Sequence, residues 1–337
     1  MHLFVQEKGA FIAKHQGRLR VNKEKTRLQE VPLLHLQQVI VNGGGVGISS
    51  DAIRACSEEG IPIHFISSNG TPHSSLYSAG LTGTVLTRRA QLRAYDGPPG
   101  VALAQGFTLG KLQNQANLLR YIAKYRKEAA PELYDSFMLV ASEVVDSLQA
   151  IRNLRGGCVD ELREQLMGIE GRYAARYWGA LAALVPSELA WPGRETRGAS
   201  DPFNQVLNYG YGVLYGQVEH ALVLAGLDPY AGLLHADRPG KPSLVLDLIE
   251  EFRQAVVDRT LLGQINRGWS IERDERGWLV AATRERIVEK VLERLESAEA
   301  YEGKRQPLRH ILQCQARHIA TFVRGEREEY TPFVMGW

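Results

Sequence analysis

Short apolar runs separated by turn residues fill roughly the first 85 positions of the chain. Residues 3–6, 10–14 and 18–22 each read as a strand, and the last alternates polar and apolar side chains at a period of two. Residues 38–42 are a β-branched run that ends in Asn42-Gly43-Gly44-Gly45. Residues 50–59 carry a short helical pattern closed by Gly60. A buried strand over 61–66 then runs into the turn Ser67-Ser68-Asn69-Gly70. Asp96-Gly97-Pro98-Pro99-Gly100 is the strongest break in the chain, and beyond it the apolar period becomes helical. Helices are predicted over 102–129, 132–154, 159–184, 202–225, 244–262, 283–295 and 306–323. Asp201-Pro202 makes a good helix start and Gly226 a good stop. The predicted fold class is α+β: a small N-terminal β-rich domain followed by a larger all-α domain. The expected boundaries are 1–86 for the β-domain, 87–100 for a linker and 101–337 for the helical domain.

Composition narrows this picture only a little. With 337 residues, 44% of them hydrophobic, the chain can bury a sizeable core and has the length of roughly two domains. A net charge of +2 means that any basic surface is a local patch. Cys56, Cys158 and Cys314 are far apart and form no CxxC pair, which argues against a zinc ribbon or disulfide framework and fits a reducing cytoplasm. The first residues have no signal-peptide core, and no stretch approaches the roughly 18 apolar residues of a membrane span. A soluble cytoplasmic protein with no membrane partner is expected.

Three places carry candidate chemistry. Glu170 shares a helical stripe with Leu166, Tyr173 and Tyr177, so its carboxylate is drawn away from water. Such burial costs several kcal/mol unless the charge is paired or bound to a metal, and either a core ion pair or a ligand role satisfies it. His235 lies in the loop His235-Ala236-Asp237-Arg238-Pro239-Gly240-Lys241-Pro242-Ser243, stiffened by two prolines; a lone loop His is most often simply solvated. On the next helix, Asp247, Glu250, Glu251, Gln254 and Asp258 fall on one face and Val245, Leu248, Ile249 and Phe252 on the other. Periodicity alone favours a solvated acidic face. The i,i+3 repulsion of Asp247 and Glu250, one loop from His235, favours a bound cation. Together Glu170, His235 and Glu250 make a mixed oxygen and nitrogen donor set suited to Mg²⁺ or Mn²⁺.

The run Asp201-Pro202-Phe203-Asn204-Gln205-Val206-Leu207-Asn208-Tyr209-Gly210-Tyr211, the run Ala225-Gly226-Leu227-Asp228-Pro229-Tyr230, and Leu234-His235 with Pro242 to Arg253 resemble one family closely. So do Ile169-Glu170-Gly171 and the closing Tyr330-Thr331-Pro332-Phe333. It is the family of the CRISPR-associated integrase, the first-numbered protein of the adaptation machinery. The resemblance covers the whole chain. It implies a β-domain that pairs with a second copy and a helical catalytic domain. It places metal ligands at Glu170, His235 and Glu250, with Asp247, at an additional acidic position, as a further metal-site residue. The implied activity is DNA integration by transesterification, with divalent-dependent DNA cleavage. The implied partners are double-stranded and branched DNA, a second copy of the chain, and a small ferredoxin-like adaptation protein.

Around that set, Asn204 and Asn208 lie one turn apart on a helix and either orient ligands or satisfy buried backbone groups. Arg194, Arg197, Arg238 and Lys241 flank the site in loops, and Arg88, Arg89 and Arg93 sit near the domain junction; all are candidates for DNA phosphates or ordinary surface charges. Gly212 and Gly216 are expected to let helices pack closely. A nucleotide site at Gly43-Gly44-Gly45-Val46-Gly47 fails, because neither a GK[ST] ending nor GxGxxG spacing is present. A non-catalytic DNA-binding scaffold remains the alternative; it needs Glu170 to be a paired core residue and His235 to be idle.

Overall fold

A computed structural model describes residues 1–78, 85–196 and 198–336. Its N-terminal part is built from two four-stranded sheets. In the first, β1 (His2–Val5), β5 (Gln38–Asn42) and β7 (Ile63–Ile66) run parallel, and β8 (Pro72–Leu76) pairs antiparallel with β7, in the order β1-β5-β7-β8. In the second, β2 (Ala10–His15), β3 (Arg18–Lys23) and β4 (Thr26–Pro32) form a meander, and the two-residue β6 (Gly47–Ile48) joins β2, in the order β4-β3-β2-β6. One helix, α1 (Ser50–Glu58), is capped by the Ser49 hydroxyl, which accepts from the Ala52 amide at 3.2 Å.

Strand β5 shows why its sequence has no polar alternation. All five of its residues are buried. Val39 and Val41 face the small core, with Leu3, Val5, Ile12 and Leu19, while Ile40 points the other way into the core of the helices. A central parallel strand covered on both faces is apolar on both. The β-region is thus seated on the helical region through one face of its first sheet.

The rest is largely helical: α2 (Val85–Ala94), α3 (Pro98–Lys124), α4 (Pro131–Asn153), α5 (Arg163–Leu181), α6 (Pro202–Leu224), α7 (Ser243–Ile249), α8 (Arg259–Ile265), α9 (Ala281–Glu296) and α10 (Leu308–Val323). The α+β fold class read from the sequence is the class observed. The segment 87–100, expected to connect the two regions, holds most of α2 and the first turn of α3. A hairpin of β9 (Ala298–Tyr301) and β10 (Lys304–Pro307) interrupts the helices. The single helix predicted over 244–262 is instead α7, a π-helical turn at Gln254–Asp258, and α8. No described helix is long and apolar enough to cross a membrane.

Helix α6 begins as its sequence requires. The Asp201 carboxylate accepts from the Asn204 amide at 2.8 Å, and Pro202 opens the first turn. Gly212 and Gly216 on this helix do permit a close approach, but not to another helix. A Cβ on Gly212 would lie 1.7 Å from the Gly70 carbonyl oxygen in the β7–β8 turn, and one on Gly216 would lie 3.3 Å from His64 Nδ1 on β7. They bring the β-region onto α6.

Candidate active site

The acidic face of the α7 segment is not solvated. Asp247, Glu250, Glu251, Gln254 and Asp258 are all buried, and so are Val245, Leu248, Ile249 and Phe252 on the opposite side. A carboxylate so placed needs dedicated partners, and each has them.

Glu250 is held from two sides. Its Oε1 lies 2.8 Å from Arg253 Nη1 and its Oε2 lies 2.6 Å from Lys111 Nζ. The same ammonium pairs with Glu170 Oε1, so one lysine from α3 joins carboxylates from α5 and from the end of α7. Burial alone pushes the Glu250 carboxyl up, but Arg253, Lys111 and His235 outweigh it and hold it well below the usual carboxylate range. Burial likewise pushes Lys111 down, and Glu250 and Glu170 more than reverse this, so the ammonium is firmly charged.

Asp247 serves the neighbouring loop. One of its oxygens accepts from the Leu233 and Leu234 amides at 2.7 and 3.1 Å. The other accepts from the His235 amide at 2.9 Å and lies 2.7 Å from His235 Nδ1. With Nδ1 donating to this carboxylate, Nε2 carries the lone pair and is the atom available to a proton or a metal. Arg163 of α5 braces the same loop through the Leu233 and Leu234 carbonyls, at 3.1 and 2.9 Å. Asp247 therefore orients His235, and both its oxygens are already engaged.

Asn204 and Asn208 act on backbone and on Arg194. Asn204 is fully buried and bonds the Gly193 carbonyl, the Glu195 amide and Asp201. Asn204 and Asn208 accept from the two ends of the Arg194 guanidinium at 3.1 and 2.6 Å. Arg194 and Arg253 stack over the Tyr211 ring, at 5.2 and 5.0 Å from its centroid. The Tyr211 hydroxyl, with that of Tyr177 at 2.7 Å, bonds Asp258, whose carboxyl burial pushes up to about 6 despite those bonds.

These arginines face a cavity of about 600 Å³. It lies between the β7–β8 turn, with Asn69 and Gly70, and the helical residues Asn208, Tyr211, Ile249 and Trp278. The carboxylates do not line it; Arg253 connects it to them. Arg238 and Lys241 lie by a separate shallow depression with Asp228 and Tyr230. Arg88 and Arg89 are exposed on α2. Arg197 lies outside the described residues. The structure therefore brings Glu170 and Glu250 together, and joins His235 to Asp247. Among the described residues no three His, Cys, Asp or Glu side chains are gathered at metal-ligand spacing.

Two members of the cluster escape a search for acids and imidazoles. Lys111 has a sequence signal all the same, because it is the one charged residue between Asp96 and Arg120, set in an apolar helical run. A lysine there is almost never buried unpaired. Arg253 has no comparable signal; its position three residues after Glu250 fits any surface ion pair.

The family described as CRISPR associated protein Cas1 matches residues 3–293. A CRISPR-associated endonuclease Cas1 of Archaeoglobus fulgidus is 36% identical, over 100% of both chains. Among solved structures, a casposase bound to an integration product superposes with a TM-score of 0.82 at 21% identity, over 98% of this chain and 92% of that one. A Cas6-RT-Cas1–Cas2 complex gives 0.74 at 22% identity, over 99% of this chain and 36% of that one. At such identities the two structures speak for the fold alone.

Proposed function

The chain belongs to the Cas1 family of CRISPR-associated proteins, and from that premise we propose that it is a metal-dependent DNA integrase and endonuclease of CRISPR adaptation. In the reaction, the 3′-hydroxyl of a short DNA fragment attacks a phosphodiester at the edge of a repeat. A new O3′–P bond forms, the old one breaks, and the displaced 3′-oxygen takes up a proton. Water in place of the hydroxyl gives cleavage.

The observation that carries this reading is the convergence of a buried and a half-buried carboxylate from different helices on one cation, beside an imidazole whose tautomer is fixed. That donor set tests the fit of a metal. Glu170 and Glu250 offer hard oxygens and His235 offers Nε2, a combination that suits Mg²⁺ or Mn²⁺ and not a thiolate-seeking ion. A cation already sits between the carboxylates, as the Lys111 ammonium, so the place is built for positive charge. Glu170, His235 and Glu250 would hold the ion, and Asp247 would hold His235. When bound, the metal supplies Lewis-acid polarisation of the phosphate and a lower pKa for the attacking hydroxyl.

The protein's own groups do the rest. Asp247 sets the ring of His235 so that Nε2 points away from the carboxylate, placed to ligate or to take a proton from the nucleophile. Arg194 and Arg253, locked by Asn204, Asn208, Glu250 and Tyr211, present guanidinium groups to a phosphate entering the cavity, with their rotamer entropy already lost. Arg238, Lys241, Arg88 and Arg89 extend the basic path for the DNA backbone, and recognition runs mostly through phosphates and DNA shape. A homodimer through the β-region and a complex with a small ferredoxin-like partner complete the assembly. One fold neighbour, a Cas6-RT-Cas1–Cas2 complex, is the precedent for a second protein in the assembly.

The test mixes purified protein, a short duplex with free 3′-hydroxyls, a supercoiled plasmid carrying a repeat, and Mn²⁺, with and without the partner. Folded His235→Ala and Glu250→Ala should lose joining that wild type performs. Folded wild type that neither joins nor cuts DNA with any divalent ion would overturn the assignment.

A further inference from the structure

We propose that Lys111 is a tethered counter-cation that holds Glu170 and Glu250 together in the metal-free protein and competes with a divalent ion for them. This rests on the metal site proposed above. Lys111 is buried on α3, the long helix against which α5 packs. Among the described residues, its Nζ is the one group that touches carboxylates from both α5 and the α7 end. Glu250 already has Arg253 on its other oxygen, at 2.8 Å. Glu170 has Lys111 as its ion-pair partner. The lysine is therefore what draws the α5 carboxylate to the α7 carboxylate.

Net charge sets the direction of the effect. Glu170, Glu250 and Asp247 contribute three negative charges and Lys111 and Arg253 two positive ones, so the cluster of these five side chains carries one net negative charge. Without Lys111 it carries two, which favours a divalent cation and penalises the empty site. An ammonium and a divalent ion repel each other strongly at ligand distance in a buried place. They cannot share the gap between the same two carboxylates. Loading must push the lysine aside, and the protein gives up metal affinity in exchange for a stable empty site.

The experiment measures Mn²⁺ binding by calorimetry and thermal unfolding with and without Mn²⁺. It compares wild type, Lys111→Met, Lys111→Arg and Glu250→Gln. Lys111→Met should bind Mn²⁺ at least tenfold more tightly than wild type, unfold at a lower temperature without metal, and gain more from Mn²⁺. Lys111→Arg, which keeps the charge, should stay near wild type. If Lys111→Met binds Mn²⁺ as wild type does, or more weakly, while Glu250→Gln abolishes binding, the competition is refuted and the metal site stands. If neither wild type nor Lys111→Met binds Mn²⁺, or Glu250→Gln leaves binding unchanged, the metal site itself falls and the competition with it. Should Lys111→Met be insoluble, Lys111→Gln, neutral and of similar length, carries the same measurements and the same outcomes.

Discussion

Gly212→Ala tests whether the β-region is fixed rigidly against α6. The added Cβ would sit 1.7 Å from the Gly70 carbonyl oxygen and 2.7 Å from its carbon. An ordinary carbon–oxygen contact needs about 3.2 Å, so one backbone must move by about 1.5 Å. Neither yields easily. Gly212 lies within the 23-residue α6, whose flanks are buried. Gly70 is at a φ of +83° in a tight turn, and a Cβ on it would in turn lie 2.5 Å from Tyr209 Cα. Overpacking of this kind costs about 3 kcal/mol. With ~2.1 cal/mol/K per residue over 337 residues, the unfolding entropy is roughly 0.7 kcal/mol/K, and the melting temperature should fall by about 4 °C. Both glycines line the 600 Å³ cavity, so DNA joining should fall more than Mn²⁺ binding, whose proposed ligands lie beyond Arg253. Gly216→Ala, at 3.3 Å from a ring that can tilt, should cost less than about 1 kcal/mol. The readouts are calorimetric unfolding, Mn²⁺ titration and plasmid joining on the same preparations. A Gly212→Ala protein that melts within a degree of wild type and joins DNA normally would refute the rigid contact.

Other contacts make equally specific demands. Asp247→Asn puts an amide against His235 Nδ1 and favours the wrong tautomer; joining and Mn²⁺ affinity should both fall about 10- to 100-fold, and an unchanged affinity would remove His235 from the ligand set. Gly168→Ala, mid-helix in α5 with nothing within 4 Å of the new methyl, should stabilise by about 0.5–1 kcal/mol, and a loss of stability in chemical denaturation would contradict that open space. Burial first, then their neighbours' charges, hold His64 at about 3 and His220 at about 4. Both are neutral when folded, so the unfolded chain takes up protons below pH 6.5 that the folded one refuses, and stability is lost as pH falls from 6.5 toward 4, by about 2 kcal/mol per histidine at pH 5. Glu251 and Asp258, raised to about 7 and about 6, act in the opposite sense, so the check is the gap between wild type and a His64→Gln/His220→Gln double variant in denaturant. That gap should narrow from pH 7 to pH 5, and a constant gap would mean the histidines are not held neutral.

Local pattern carried most of the fold because most elements here are decided locally. The runs at 10–14, 18–22 and 38–42 and the helices of the C-terminal part come out nearly where their periodicity puts them. The misses have physical reasons. Strand β4, Thr26–Pro32, exposes its first four residues, so it shows no clear period. The β9–β10 hairpin has four-residue strands, too short to show a period. The break of 244–262 into α7, a π-turn and α8 has no local cause in the sequence, which stays helical throughout; tertiary packing imposes it. At the candidate site, the carboxylates and the histidine were visible, but Lys111, Arg253 and the convergence of the set were not, since the residues lie on α3, α5, α7 and a loop. The acidic face misled for a related reason. Five polar residues at helical spacing normally mean solvent, and only tertiary partners such as Lys111, Tyr177, Tyr211 and Tyr330 reveal that they are buried.

Glu250 and Glu251 show how much those partners matter. They are adjacent, chemically identical and both buried, yet their carboxyls are driven in opposite directions. Glu250 meets Lys111 and Arg253 and is held down. Glu251 meets no cation among the described residues. Burial pushes it up to about 7, although it accepts from the Tyr330 hydroxyl, Gln315 and the Phe333 amide. Those bonds, with Asn114 and Asn117 on the backbone of Phe333 and Met335, fasten the 330–335 segment onto α3 and the end of α7. One side of this short stretch therefore faces chemistry and the other is clamped by the C-terminal segment. Asn114 also holds the Glu251 carbonyl, and it stands three residues from Lys111 on α3. The same helix thus fixes the backbone that carries Glu250 and supplies the cation that its side chain meets. A site made of like charges from separate helices needs such a frame, because repulsion would otherwise spread the elements apart whenever the cation between them leaves.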